Sequence, residues 1–282
     1  GTVIDATGDG LVCRRAGVPM QVSAGGMQPM SLCFLLRNVD VTTALLRDHI
    51  HHTGLHGQSK HMGIYHALQK LAEQGEDVPQ FGGPWFNSTM QEDLICVNIT
   101  RAAANAADRA QLTQAECRMR EDAYKLVALL RKLYPEFAKA SIAEIAAQGG
   151  VRETYHIRGL YTLSGADILG GAPCADGVAF CSHPVDIHSA QDNTQTAQYF
   201  DTPCPVPYRV MVAAGFDNLI AAGRCVSCVD EAYASMRVQG TCMAIGEAAG
   251  VAAAMRRETG CAVTAVNTDD LRARLQKQGA IV

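Results

Sequence analysis

The chain has no excess of basic charge. Its 282 residues carry 24 Lys and Arg against 28 Asp and Glu, a formal net charge of -4. Without a basic field, nucleic acid is not an expected partner. No apolar run approaches the length of a membrane span, so no membrane partner is expected either. No signal-peptide pattern heads the chain, an absence of little weight where a sequence opens inside a strand. Internal repeats and low-complexity segments are missing, which excludes solenoid and fibrous classes. No strand–GxGxxG–helix unit occurs, because Gly8-x-Gly10 lacks a third Gly in register.

What is present is an ordinary globular composition, 48% hydrophobic and 18% charged, long enough for one large domain or two modest ones. Eleven cysteines are scattered along the chain, mostly beside apolar residues. An odd, dispersed set in a chain of this length suits reduced thiols better than a disulfide framework, so a cytoplasmic location is expected.

Local patterns predict the elements. Val3 to Asp5 reads as a strand, and Leu11 to Ala16 as a short helix ended by Gly17. SLCFLLRNVDV and DLICVNITRA read as strands, FGGPWFNSTMQ as turn and loop. A helix headed by Thr113, with Glu116 completing a capping box, carries Leu126, Leu129, Leu130 and Leu133 on one face. Tyr134-Pro135 ends it, and a second, Ala-rich helix is expected to close at Gly149-Gly150. VRETYHIRGLYTLSGADIL reads as strand then turn, and the span from Gly170 to Pro207, with five of the ten prolines, as loop. DNLIAAGRC is another strand entering a Gly turn. An Ala/Gly-rich helix covers Thr241 to Met255, and a last helix begins with Thr268 as cap.

Two stretches suggest chemistry. The opening GTVIDATGDG runs a strand into a turn bearing a carboxylate, the place where α/β proteins seat nucleotide ligands. NLIAAGRCVSCVDEAYASMRVQGTCMAIGEAAG runs a strand into Gly223 and then leads to a helix headed by Gly240. That helix is small-residued enough to approach a backbone or a flat ligand closely. Its first N–H groups, at Gly240, Thr241 and Cys242, suit an anionic or electron-rich atom. A tightly packed helix without a ligand accounts for the same residues.

These motifs resemble the FAD-dependent oxidoreductase family, related more distantly to the fumarate reductase and succinate dehydrogenase flavoproteins. The resemblance is carried by ATGDG, VNITRA, LTQAECRMR, YPEF, GVRETYHIRGLYTLSGADIL, DIH, PVPYRV, AAGRCVS, RVQGTCMAIGEAAGVAAA and LRARLQKQGA, in that order over nearly the whole chain. It implies an α/β fold: a partial Rossmann-like FAD-binding domain built from both chain ends, residues 1–20 and 206–282. An α+β substrate domain, residues 21–205, is inserted between them. It also implies cofactor contacts from Thr7, Gly8 and Asp9, from Gly223 and Arg224, and from Gln239, Gly240 and Thr241. Because the GxGxxG loop is missing, the sequence is expected to be the C-terminal portion of a flavoenzyme that holds FAD only weakly, if at all, by itself. The expected activity is hydride transfer between a small polar substrate and flavin N5. The alternative is a non-catalytic fragment or subunit that needs a partner chain to complete the flavin site. A homo-oligomer stays open, and no histidine context suggests covalent flavin.

Flavin dehydrogenases need a base for a proton and a cation for the anionic end of a substrate. The candidates are His188, Arg152, Asp186 and Arg209. Arg152 opens a segment RETYH whose alternate side chains would face one cavity. Asp186 and His188 share a side if their segment is extended. Pairing with buried carboxylates would explain both arginines without catalysis. The resemblance implies an Arg-rich stretch after RET where this chain has Tyr155-His156, so the family's substrate contact does not carry over at these positions.

Cys225-Val226-Ser227-Cys228 is a CxxC, but no second CxxC completes a zinc site. Six of the nine histidines lie between His49 and His66, at spacings that match no ligand signature; an exposed segment at a substrate entrance is expected there. A zinc site from Cys181, His183 and His188 is the least favoured reading, and no metal is expected.

Overall fold

The computed structural model describes residues 1–43, 45–46, 61–171 and 174–282. In chain order its elements are β1 (Val3–Asp5), α1 (Leu11–Ala16), β2 (Met20–Gln21), β3 (Phe34–Arg37), α2 (Met62–Glu73), β4 (Phe81–Ser88) and β5 (Leu94–Thr100). There follow α3 (Arg109–Leu133), β6 (Ser141–Ile145), β7 (His156–Ile157), α4 (Gly165–Gly170), β8 (Gly177–Cys181), β9 (Val185–His188) and β10 (Gln195–Gln198). Last come β11 (Cys204–Pro207), β12 (Leu219–Ala221), α5 (Asp230–Met236), α6 (Gln239–Thr259) and α7 (Thr268–Lys277). The result is a mixed α/β protein with several small sheets. Among the described residues no helix is long and apolar enough to cross a membrane.

The chain divides into two compact units. The first comprises Gly1–Met27, Glu153–Ile187 and Gln195–Val282; the second comprises Gln28–Arg152 and His188–Thr194.

In the first unit β1 and β12 pair in parallel, with Val3 opposite Leu219 and Asp5 opposite Ala221. Strands β8 and β11 pair antiparallel, Cys181 opposite Cys204. Apolar side chains of these strands, among them Val178, Val206 and Ile220, share a buried cluster with Tyr233, Ile245, Ala248, Ala252 and Leu271. The small residues of α6 are what allow that helix to lie close against them. Gly17 ends α1 in the left-handed region at φ 87°, where glycine is unstrained.

The second unit is built on an antiparallel sheet of order β4-β5-β3-β6. Phe34, Leu36, Ile95, Val97, Phe81 and Phe86 join Ile64 and Leu68 of α2 and Leu126, Val127 and Leu130 of α3 in one core. Each such side chain contributes roughly 1.5–3 kcal/mol when fully buried.

Several sequence expectations are corrected here. FGGPWFNS is not a loop but β4, held by the aromatic side chains Phe81 and Phe86 in the core. Its Gly-Gly-Pro stretch is absorbed as an irregularity: the register jumps from Phe81 opposite Thr100 to Trp85 opposite Asn98. The long helix begins at Arg109, four residues before Thr113, because Asp108 accepts from the amides of Ala110 and Gln111. Thr113 instead donates its hydroxyl to the Arg109 carbonyl, 2.8 Å away. The Ala-rich segment before Gly149 is not a helix; Ser141–Ile145 is strand β6, paired with β3, and pairing overrides helix propensity. The span from Gly170 to Pro207 holds four strands, β8 to β11, because its prolines fall in short strands and between them. Only His156–Ile157 of the RETYHI segment is strand, and the turn expected after it includes helix α4, capped by Ser164 and Asp167. Asn267, and not Thr268, caps α7.

Candidate functional site

In the first unit the end of β1 is fixed by one carboxylate. Asp5 accepts from the amide and hydroxyl of Thr7 at 3.1 and 2.7 Å and from the Cys13 amide at 2.8 Å. Burial alone would raise its pKa, but these hydrogen bonds together outweigh it and hold the carboxyl below its ordinary value. Thr7 in turn accepts the Leu11 amide at the start of α1. The turn is thereby locked to both strand and helix.

Gly8 sits at φ 75° against Arg224; a Cβ built there would lie 2.7 Å from the Arg224 Nη2. Asp9 accepts from Arg224 Nη2 at 3.2 Å and from the Thr154 hydroxyl at 2.9 Å. The other guanidinium nitrogen, Arg224 Nη1, is buried with no hydrogen-bond partner among the described residues. Gly223, directly before it, takes φ 84° at the end of β12.

Helix α6 starts after Val238 with no side-chain cap. Gln239 and Gly240 are exposed, Thr241 is buried, and the space over Gly240 is open. The Arg224 charge reaches this first turn: burial raises the Cys242 pKa, and Arg224 draws it back down. All eight residues expected to touch the cofactor therefore lie in the first unit, and they include a donor-rich, uncapped helix start and one guanidinium nitrogen left unsatisfied among the described residues. This donor set suits an anionic or electron-rich group such as the phosphate or pyrimidine edge of a flavin nucleotide.

The four catalytic candidates are distributed between the units. Arg209, in the first, forms a bidentate pair with Asp176 at 2.9 and 3.0 Å and covers the Tyr161 ring. Asp186, also in the first, accepts from Gln195 at 2.6 Å and from Arg237 at 3.1 Å. In the second unit Arg152 donates to the Pro29 carbonyl and the Ser31 hydroxyl, both at 2.8 Å. His188 is buried, its Nδ1 lies 2.9 Å from Arg101 Nη2, and its ring stands edge-on to Trp85.

Sequence reasoning passed over Arg101. It lies in the VNITRA motif, where the signal that marks it is a charge placed directly after a buried strand. Glu153 and His156 stand in the candidate segment RETYH, but their pairing with one another is not legible there. Both are buried in the first unit, the His156 Nε2 lying 3.1 Å from Glu153 Oε1, which also accepts from Ser23.

The CxxC is a pair of buried thiols. Burial pushes the Cys225 pKa up to about 12, and its Sγ donates to the carbonyls of Asp5 and Ala222. Cys228 is likewise raised, first by burial, so neither presents a thiolate. All eleven cysteines are free. His49, His51, His52 and His56 lie outside the described residues; His61 is the N-cap of α2, accepting the Ile64 amide. Among the described residues no group of three or more His, Cys, Asp or Glu is placed to hold a metal ion.

A mixed α/β chain whose strand end, Gly turn and helix start converge in one unit has the character of a nucleotide-cofactor protein. The family comparison carries this further: the family model described as FAD dependent oxidoreductase matches residues 1–275, and the chain belongs to that family. No curated protein and no solved structure matches it.

Proposed function

We propose that this chain serves hydride transfer between a small polar substrate and FAD. The supporting observation is the grouping of the uncapped start of α6 with Arg224, whose Nη1 lacks a partner among the described residues, and with the Gly8-Asp9 turn, in a chain of a flavin-dependent family. When bound, FAD accepts or returns a hydride at N5. The amides of Gln239, Gly240 and Thr241 would hold the electron-rich edge of the ring, and Arg224 would offer its unsatisfied N–H to an anionic oxygen. Thr7, Gly8, Asp9 and Gly223 would keep that edge of the site open and fixed.

In this reading a Rossmann-like flavin part is drawn from both ends of the chain, residues 1–20 and 206–282, and the inserted segment between them serves the substrate. His188 and Arg152 would meet the substrate's polar groups. Asp186 and Arg209 would act through their ion pairs with Arg237 and Asp176. The free cysteines support a reducing, cytoplasmic setting.

The test is anaerobic mixing of the FAD-loaded chain with small hydroxy acids, amino acids and polar alcohols while the flavin band is followed. Bleaching with a subset of these, lost in H188Q, is the expected result. A bound flavin that chemical reductants bleach but no polar substrate does would overturn it.

A further inference from the structure

We propose that Arg101 is a positioning residue: it holds His188 as a neutral imidazole whose single ring proton sits on Nε2. His188 then acts as a hydrogen-bond donor to a carbonyl or carboxylate oxygen, and not as the base that removes a proton. The donor role rests on the reading above that His188 serves the reaction; the tautomer does not.

Arg101 follows β5 and is 1% exposed, among the largest fully buried side chains of the protein. Its Nη1 donates to the carbonyls of Asp192 and Thr194, at 3.2 and 3.0 Å. The turn bearing those carbonyls is itself fixed, since the Asp192 carboxylate accepts both the amide and the hydroxyl of Thr194. On another side lies Gly82 of β4, where a Cβ would come within 2.6 Å of Arg101 Nη2. The guanidinium is thus held in one place, with Nη2 set 2.9 Å from His188 Nδ1.

Chemistry decides the rest. A guanidinium has only N–H donors, no acceptor, and stays charged at any working pH. His188 Nδ1 must therefore present a lone pair to it, and a neutral ring with a bare Nδ1 carries its proton on Nε2. Adding a proton at Nδ1 would turn N–H against N–H. It would also place a second positive charge beside the first in a buried site, where burial and a like charge both disfavour imidazolium. The ring plane is set by its edge contact with Trp85, 5.7 Å between centroids, and the backbone by the His188 amide donating to Gln28 Oε1.

Among the described residues, the titratable groups near the pair leave the conflict of N–H against N–H in place. Asp192, from the turn, accepts from Thr194, and its carboxylate also interacts electrostatically with Arg101. Tyr65, from α2, donates its hydroxyl to the Asn193 carbonyl, and its pKa is raised, first by burial, so it stays protonated. Asp186, two residues earlier in β9, is engaged by Gln195 and Arg237.

The direct test is a long-range ¹⁵N–¹H correlation spectrum of the ¹⁵N-labelled full chain with FAD added, the His188 signals being assigned by their loss in H188Q. The expected spectrum shows an unprotonated Nδ1 and a protonated Nε2, unchanged from about pH 5 to pH 8. In R101Q the ring is expected to titrate near the ordinary histidine value of about 6.5, and the pH profile of kcat/KM to gain a step there. A protonated Nδ1 in the wild-type chain, or a wild-type ring that titrates in that window, would overturn the proposal, and this outcome does not depend on R101Q folding. Turnover in H188Q separates the two claims. Unchanged turnover with the expected wild-type spectrum overturns the reaction role alone.

Discussion

Asp5 shows how one side chain can make a site geometry pH-dependent. It is fully buried and accepts two hydrogen bonds from Thr7 in the turn that follows it and a third from the Cys13 amide in α1. Because those bonds depress its pKa in the folded state, the stability it contributes is complete above the unfolded carboxyl value of about 3.9 and is lost as pH falls through the lower folded value. Urea titrations at a series of pH values are expected to show the wild-type midpoint falling below about pH 4. D5N would set an amide N–H, or a weaker acceptor, against the donors of Thr7 and Cys13. It is expected to be about 1–3 kcal/mol less stable at neutral pH and to lose part of that acid dependence. A D5N midpoint equal to wild type at pH 7 would contradict this account of the turn. The sequence revealed the carboxylate-bearing turn and the glycines beside it, because a short strand broken by TGDG leaves few alternatives. It did not reveal that Arg224 reaches back to Asp9 across 215 positions, since that pairing depends on the register of β1 with β12.

Helix starts separate local from tertiary information most sharply at the level of the element. Asp108 and Thr113 are both plausible caps by composition, and the choice between them depends on where the apolar face of α3 meets the sheet. D108A is expected to cost about 0.5–2 kcal/mol in chemical denaturation. T113A, whose hydroxyl bonds backward within the helix, is expected to change stability by less than about 0.5 kcal/mol. The reverse order of effects would put the helix start where the capping box suggested. The same logic explains the other departures. β4 contains Gly-Gly-Pro, and β6 lies in an Ala-rich stretch, so local propensity argues against both. Each is a strand because a neighbour, β5 or β3, supplies its hydrogen bonds. The helices α1, α6 and α7 were legible because periodicity, a terminal glycine or acidic first turns mark them without reference to a partner.

For the molecule as a whole, the central claim is that this chain is a flavin-dependent oxidoreductase whose first unit carries the flavin contacts. The order of the motifs along the chain was legible in the sequence, and so was the family. The grouping of Arg224 with the Gly8-Asp9 turn was not, because those segments are separated by most of the chain, and the electrostatic reach of Arg224 to the start of α6 was not, because it depends on how the loop and α5 between them fold. The direct measurement is the visible spectrum of the purified 282-residue chain, incubated with FAD and desalted, beside that of R224M and G8A. The missing GxGxxG loop argues for weak binding, but the grouping of Arg224, the Gly8-Asp9 turn and the uncapped start of α6 leads the account to predict a flavin band that stays with the wild-type protein. R224M should bind at least about tenfold more weakly, the loss of one charge-assisted hydrogen bond. G8A should retain less flavin than wild type, because its Cβ displaces Arg224. A wild-type chain that remains colourless after desalting, or an R224M chain that holds FAD as tightly as wild type, would contradict it.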